Sequence, residues 1–182
     1  MDTIYGRLNY EEHWYALTTR SRHEKRVNER LQKKAINCYL PLYSTIRYWS
    51  DRKKKVSEPL FSCYLFVKIT LKNRLQVLQT DGAVRLVAFN NVPVPIPEEQ
   101  IDAIRRLLKE NVAMQKADYW TVGQRVEVVH GPLQGLKGIL QQIKGHSRLV
   151  IAIDGIQQAI SVEIDAAVLQ PIDKKLIENG VM

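Results

Sequence analysis

Arg22, Arg26, Arg30 and Lys34 recur every four residues. The chemistry open to such a row is electrostatic: it can hold phosphate, but it cannot make or break a bond. None of the four has a carboxylate four residues further on, so on one helix face they repel one another by a few tenths of a kcal/mol per pair. An anionic visitor would relieve that repulsion; the alternative is a plain solvated face, as surface helices are often rich in Lys and Arg. A second run, Arg52-Lys53-Lys54-Lys55, reads as part of a hairpin tip between Arg47-Tyr48-Trp49 and Val56-Ser57-Glu58. It too could touch phosphate, and a solvated loop accounts for it as simply.

Other chemistries have little to work with. His13, His23, His130 and His146 are scattered without metal-ligand spacing. No glycine loop has nucleotide-binding form, and no serine or cysteine sits in a recognisable nucleophile setting. The sequence therefore points away from an enzyme, a metal centre or a cofactor.

The other notable cluster is aromatic. Phe61, Tyr64 and Phe66 fall within six residues of a strand-like run, Val56 to Ile69. Alternation sends Tyr64 and Phe66 to one face and Leu65 and Val67 to the other. If helices cover only one face, these rings form an exposed apolar patch of the kind that marks a partner site. Filling a core is the competing use of the same rings.

Charge separates the chain into two parts. The net charge is +8, with 20 Lys and Arg against 12 Asp and Glu up to Gln115, and 7 against 7 from Lys116 onward. The first part is suited to a polyanion; the second is neutral. There is no apolar run of about 18 residues and no signal-like start. A cytosolic protein without a membrane anchor is expected, with Cys38 and Cys63 as small buried hydrophobes rather than a disulfide.

Several elements must position these residues. His13 to Thr18 reads as a strand, and Ser21-Arg22-His23-Glu24 as a capping box opening a helix from Arg22 to about Ala35, with Val27, Leu31 and Ala35 buried. Cys38 to Ile46 reads as a strand, with Pro41 at an edge or bulge. Leu71 to Thr80 reads as a short helix using Leu75 and Leu78, Val84 to Phe89 as a strand, and Glu98 to Asn111 as a helix buried through Ile101, Ile104, Leu107 and Leu108. Beyond it, five short strands separated by glycine turns suggest a small antiparallel barrel. The class is α+β: an antiparallel sheet flanked by helices, then the barrel. Expected bounds are 1–112 for the first domain with 1–11 as a loose tail, 113–119 for a linker, 120–172 for the barrel and 173–182 for a tail; a monomer is expected.

Two stretches together carry a family resemblance. Val126 to Ile139, with Gly131, Pro132, Gly135 and Gly138, resembles a KOW motif, whose glycines allow a tight loop between barrel strands. Trp14-Tyr15, Leu31 to Pro41 and Val56 to Val67 resemble the amino-terminal domain of NusG-type transcription elongation factors, closest to the specialised RfaH or UpxY branch. The resemblance implies that the first domain contacts the clamp helices of RNA polymerase, with Tyr15, Phe61, Tyr64 and Phe66 at the matching positions. It implies, too, that Arg20, Arg26, Arg30 and Lys34 face the non-template DNA strand, and that the barrel recruits a ribosomal protein or a termination factor. Three features depart from the pattern. Ser62-Cys63 stands where a proline is usual, no threonine-rich patch occurs around Asn73 to Gln76, and Asp81 stands where the specialised branch tends to have a cation. Six glycines between 123 and 155 argue that the second domain is strand and not a helical hairpin. A ribosome-associated RNA-binding protein is the alternative, and the neutral barrel counts against it.

Overall fold

The computed structural model describes residues 8–48, 52–110, 112–117, 119, 123–143 and 145–172. Two compact units result, 1–101 and 102–182. Residues 1–7 of the expected first tail and all of the expected last one lie outside the described residues; Leu8 is buried in the core of the first unit.

The first unit is organised on β1 (His13–Thr19). α1 (Glu24–Lys33), β2 (Cys38–Tyr39), β3 (Leu42–Tyr48), β4 (Lys53–Pro59) and β5 (Tyr64–Ile69) follow, then α2 (Arg74–Leu78) and β6 (Ala83–Leu86). β7 (Ala88–Phe89), β8 (Val92–Pro93) and β9 (Pro95–Ile96) lead into α3 (Glu98–Lys109), within which the division between units falls. The sheet runs β2-β5-β1-β6, with β9 also on β1, and β1 is antiparallel to each strand it pairs with.

Register assigns the faces. Tyr15 pairs with Val67 and Leu17 with Leu65, and these four pack in one cluster with Val27 and Leu31 of α1 and Val77 of α2. Burying that set excludes water from a continuous apolar surface, at about 25 cal/mol per Å² removed. Ala16 pairs with Phe66 and Thr18 with Tyr64, so the other face carries the aromatic series.

Several elements differ from the sequence expectation. The capping box does not form: His23 occupies the N-cap without a side-chain bond, Arg22 lies at φ 62° before the helix, and Glu24 is drawn inward to the Cys63 amide. Ala35 lies at φ 56° beyond the helix and is exposed, so Val27 and Leu31 alone form the stripe of α1. The strand expected over Cys38–Ile46 breaks at Leu40-Pro41, where the chain leaves β5 and starts a separate ribbon, β3 on β4. That ribbon pairs from Leu42↔Pro59 out to Tyr48↔Lys53, so Lys53, Lys54 and Lys55 are strand residues and not loop. Its tip at 49–51 lies outside the described residues. Backbone pairing there overrides the low strand preference of lysine.

Elsewhere in this unit, Leu75 is 61% exposed while Val77 is fully buried. The strand expected over Val84–Phe89 is interrupted at Val87. Both cysteines are free and half-buried, and burial raises the Cys38 thiol pKa.

The second unit holds a six-stranded antiparallel sheet. β10 (Met114–Ala117) comes first, then β11 (Gln124–Val128), β12 (Lys137–Ile143), β13 (His146–Ile153), β14 (Gln158–Glu163) and β15 (Leu169–Pro171). Their order is β10-β14-β13-β12-β11-β15. β10 occupies part of the expected linker: Met-Gln-Lys-Ala has no β-branched residue to announce a strand, and its pairing with β14 is supplied by tertiary context. Leu149, Ile153, Ile160 and Val162 are almost wholly buried in this unit. Among the described residues no helix is long and apolar enough to cross a membrane.

Candidate functional site

The cation face is built by α1 and the turn that follows α2. Arg26 and Arg30 lie one turn apart on α1, Arg20 just after β1, and Lys34 at the C-cap of α1. Asp81 stands among them. Arg30 donates to Asp81 Oδ2 at 2.6 Å and to the Asp81 carbonyl at 2.6 Å, and Arg20 reaches Oδ1 at 3.4 Å. Lys34 Nζ donates to Thr80 Oγ1 at 2.8 Å and to the Gln76 carbonyl at 3.1 Å. The row that looks purely repulsive along the sequence is thus partly neutralised by a distant carboxylate. Two of the four cations converge on that one anion and the other two are not paired with it, so the face remains positive.

A glycine brings that turn so close. Gly82 adopts φ 92°, its carbonyl accepts from the Arg20 amide at 2.9 Å, and a Cβ there would lie 2.8 Å from Val27 Cγ2. The side chains of Arg20, Arg30 and Asp81 stay 66%, 42% and 64% exposed, so their ion pairs contribute at most about 1 kcal/mol each. They remain open to exchange with a dissolved anion.

The four expected apolar contact residues are not brought together. Phe61, Tyr64 and Phe66 are: Phe61 meets Phe66 edge-on at 6.0 Å, Tyr39 stacks on Phe66 at 6.4 Å, and Tyr64 lies two residues before Phe66 on the same face. Tyr15 belongs to the opposite face, beneath α1, because its position in β1 has the other parity. Phe61 and Phe66 are themselves buried, at 1% and 0% exposure, while Tyr64 and Tyr39 are half-buried. The open apolar patch expected of these rings is therefore reduced to Tyr64 and Tyr39.

Tyr15 carries a physical oddity. Its hydroxyl is buried with no hydrogen-bond partner among the described residues, and burial raises its pKa from 10.0 to about 12. Removing an unpaired buried hydroxyl eliminates a desolvation cost. Tyr15→Phe is accordingly expected to leave stability unchanged or raise it by about 1 kcal/mol in urea unfolding. Because the folded state holds this proton more tightly than the unfolded chain, the Tyr15 contribution falls as pH rises above 10. The advantage of Tyr15→Phe should grow over that interval.

The loop of the second unit divides its glycines by role. Gly131 and Gly135 lie at φ 88° and 82°, and the turn containing Pro132 closes through Gly135 N–H to the Val128 carbonyl at 2.7 Å. Gly138 is not a loop residue: it lies in β12 opposite Val126, and is needed for close strand approach. Among the described residues no group of three or more His, Cys, Asp and Glu is arranged to hold a metal ion. Sequence reading missed the Arg20–Asp81–Arg30 cluster and the Glu24–Cys63 bond; the Asp81-Gly82 turn signal is the one local hint of the former.

Comparison with known proteins gives a consistent result. A family model described as transcription termination factor NusG matches residues 12–105. A Rickettsia typhi protein named transcription termination/antitermination protein NusG is 22% identical over 170 residues, covering 86% of this chain and 88% of its own length. A Halalkalibacterium halodurans protein of the same name is 23% identical over 177 residues, covering 89% of this chain and 99% of its own. A solved structure concerned with domain interaction in Thermotoga maritima NusG aligns over 90% of this chain and 98% of its own, with a TM-score of 0.56 at 21% identity, which is a likeness of fold. These relatives carry the general NusG name, and none of them supports the specialised RfaH or UpxY branch.

Proposed function

The chain belongs to the NusG family of transcription termination and antitermination factors, and from that premise we propose that its first domain, residues 1–112, binds the clamp helices of RNA polymerase. The contact is centred on Tyr64 with Tyr39 beside it, and Phe61 and Phe66 form the apolar floor behind them. The observation that carries this reading is the half-exposed Tyr64 on an aromatic cluster, because a rigid ring with an apolar floor and a polar tip suits the centre of a protein interface. Phe61 and Phe66 would have to be uncovered before a partner reached them; Tyr15, on the other face, serves folding.

The cation face of Arg20, Arg26, Arg30 and Lys34 runs along the non-template DNA strand, holding phosphates in a salt-dependent manner. The neutral barrel recruits a protein, a ribosomal protein or a termination factor, through a surface that includes the Gly131–Gly135 loop. The factor acts in the cytoplasm by binding, suppressing pausing or termination without a chemical step of its own, and serves particular operons, of the polysaccharide type, rather than all genes.

Tyr64→Ala is expected to weaken binding of the full chain to the host's RNA polymerase at least tenfold. Tyr15→Phe should leave that affinity unchanged. Affinity per folded molecule, measured by biolayer interferometry with folding checked by circular dichroism, decides the matter: equal affinity for Tyr64→Ala and the parent would refute this contact. Recovery of ribosomes instead of polymerase with the full chain would favour the ribosome-associated alternative.

A further inference from the structure

We propose that Asp81 is a built-in competitor for nucleic-acid phosphate, and that single-stranded DNA engages the cation face by displacing its carboxylate from Arg20 and Arg30. This rests on the reading of that face as a nucleic-acid surface, and adds to it the residue that sets its threshold.

The geometry is that of an occupied anion site. Two guanidinium groups converge on one carboxylate, Arg30 on Oδ2 at 2.6 Å and Arg20 on Oδ1 at 3.4 Å. A phosphodiester presents two such oxygens to arginines in the same manner. Asp81 is supplied by the backbone and not by chance rotamers: Gly82 at φ 92° sets the turn against α1, and the Asp81 carbonyl is itself held by Arg30. All three side chains are more than two-fifths exposed, so incoming phosphate can reach the arginines and the carboxylate can swing into water. Lys34 is satisfied by neutral acceptors, Thr80 Oγ1 and the Gln76 carbonyl, so its charge is left uncancelled.

A pair of exposed ion pairs is a modest obstacle. A ligand offering one phosphate gains little by displacing Asp81, whereas a strand reaching Arg20, Arg26, Arg30 and Lys34 together gains enough. The carboxylate thus penalises small anions and short contacts more than an extended strand.

The test is fluorescence anisotropy of a labelled single-stranded DNA of about 12 nucleotides, titrated with the full chain at several salt concentrations. Asp81→Asn is expected to tighten binding about three- to tenfold at low salt, and to steepen the salt dependence by about 0.7 for each phosphate newly held. Asp81→Ser should do the same if asparagine disturbs the turn. Glu29→Gln removes the same charge from α1 without touching Arg20 or Arg30, and should have a smaller effect. If both Asp81 variants bind no more tightly than Glu29→Gln, while Arg26→Glu weakens binding, the competitor is refuted and the DNA face stands. If Arg26→Glu also leaves binding unchanged, the DNA face itself is refuted, and Asp81 with it.

Discussion

Gly138→Ala should cost the carboxy-terminal sheet about 2–4 kcal/mol, among the larger effects a single methyl can have. A Cβ at Gly138 would sit 2.5 Å from the Val150 carbonyl oxygen, 2.8 Å from Leu149 Cδ1 and 3.2 Å from Leu149 Cγ. Neither neighbour can yield cheaply. Val150 is fixed in the β12–β13 ladder, where it faces Ile139, and Leu149 is fully buried. Gly131→Ala is the instructive comparison. Its φ of 88° imposes backbone strain of about 1–2 kcal/mol, but nothing lies within 4 Å of the added atom. Urea unfolding followed at the amide resonances of residues 124–171 separates the two; equal losses would show that crowding at Gly138 is relieved by small shifts and that the argument from close approach is wrong.

Glu24→Ala should destabilise the first unit by about 2–3 kcal/mol. The Glu24 carboxylate is buried at the first turn of α1 and accepts the Cys63 amide at 2.7 Å. Alanine removes both a favourable charge at the positive end of the helix and the acceptor for that amide. The amide belongs to a residue at φ 67°, a conformation costly without glycine. Thr19 N–H to the Cys63 carbonyl at 2.8 Å is the other tie holding it there. Glu24→Gln keeps an acceptor and should lose only about 1 kcal/mol. Cys63 lies between Phe61 and Tyr64 in the chain, so if the proposed polymerase contact at Tyr64 holds, loosening this loop should weaken it as well. Hydrogen exchange at the Cys63 amide provides the direct reading: protection preserved in Glu24→Ala would mean the bond does not hold the loop.

What could be read in the sequence depended on how far away the physical cause lay. The stripe Ile101, Ile104 and Leu107 follows from helical repeat alone, and all three are fully buried. The strands β11 to β14 of the second domain are likewise local, set by hairpin chemistry, each antiparallel to the next along the chain. Glu24 fits a capping box by its spacing to Ser21, yet its carboxylate goes to a residue 39 positions away. Arg30 seems unpaired on its helix and is paired 51 positions away. Strand alternation put Tyr64 and Phe66 together, but it could not say that Tyr15 would enter β1 with the opposite parity, or that Phe61 would fold under Phe66. Nor could lysine-rich composition reveal that Lys53 to Lys55 are drawn into a ribbon by pairing with Ile46 to Tyr48.

The central position of β1 also dictates when the first unit can fold as it is made. β1 emerges from the ribosome before every strand that pairs with it, and its long partner, β5, starts about 45 residues later, or roughly 2–9 s at 5–20 residues per second. β6 and β9 come later still. Throughout that interval Trp14, Tyr15 and Leu17 are exposed on a strand with neither edge satisfied, a state open to wrong pairing and to capture by chaperones. In the second sheet β12, β13 and β14 each pair with the strand just made, so the meander from β11 to β14 can form as it emerges; the outer strands β10 and β15 pair at longer range, with β14 and β11. Slowed translation before residue 69 should therefore lower the yield of folded first domain, whereas the same delay within the β11–β14 meander should matter little.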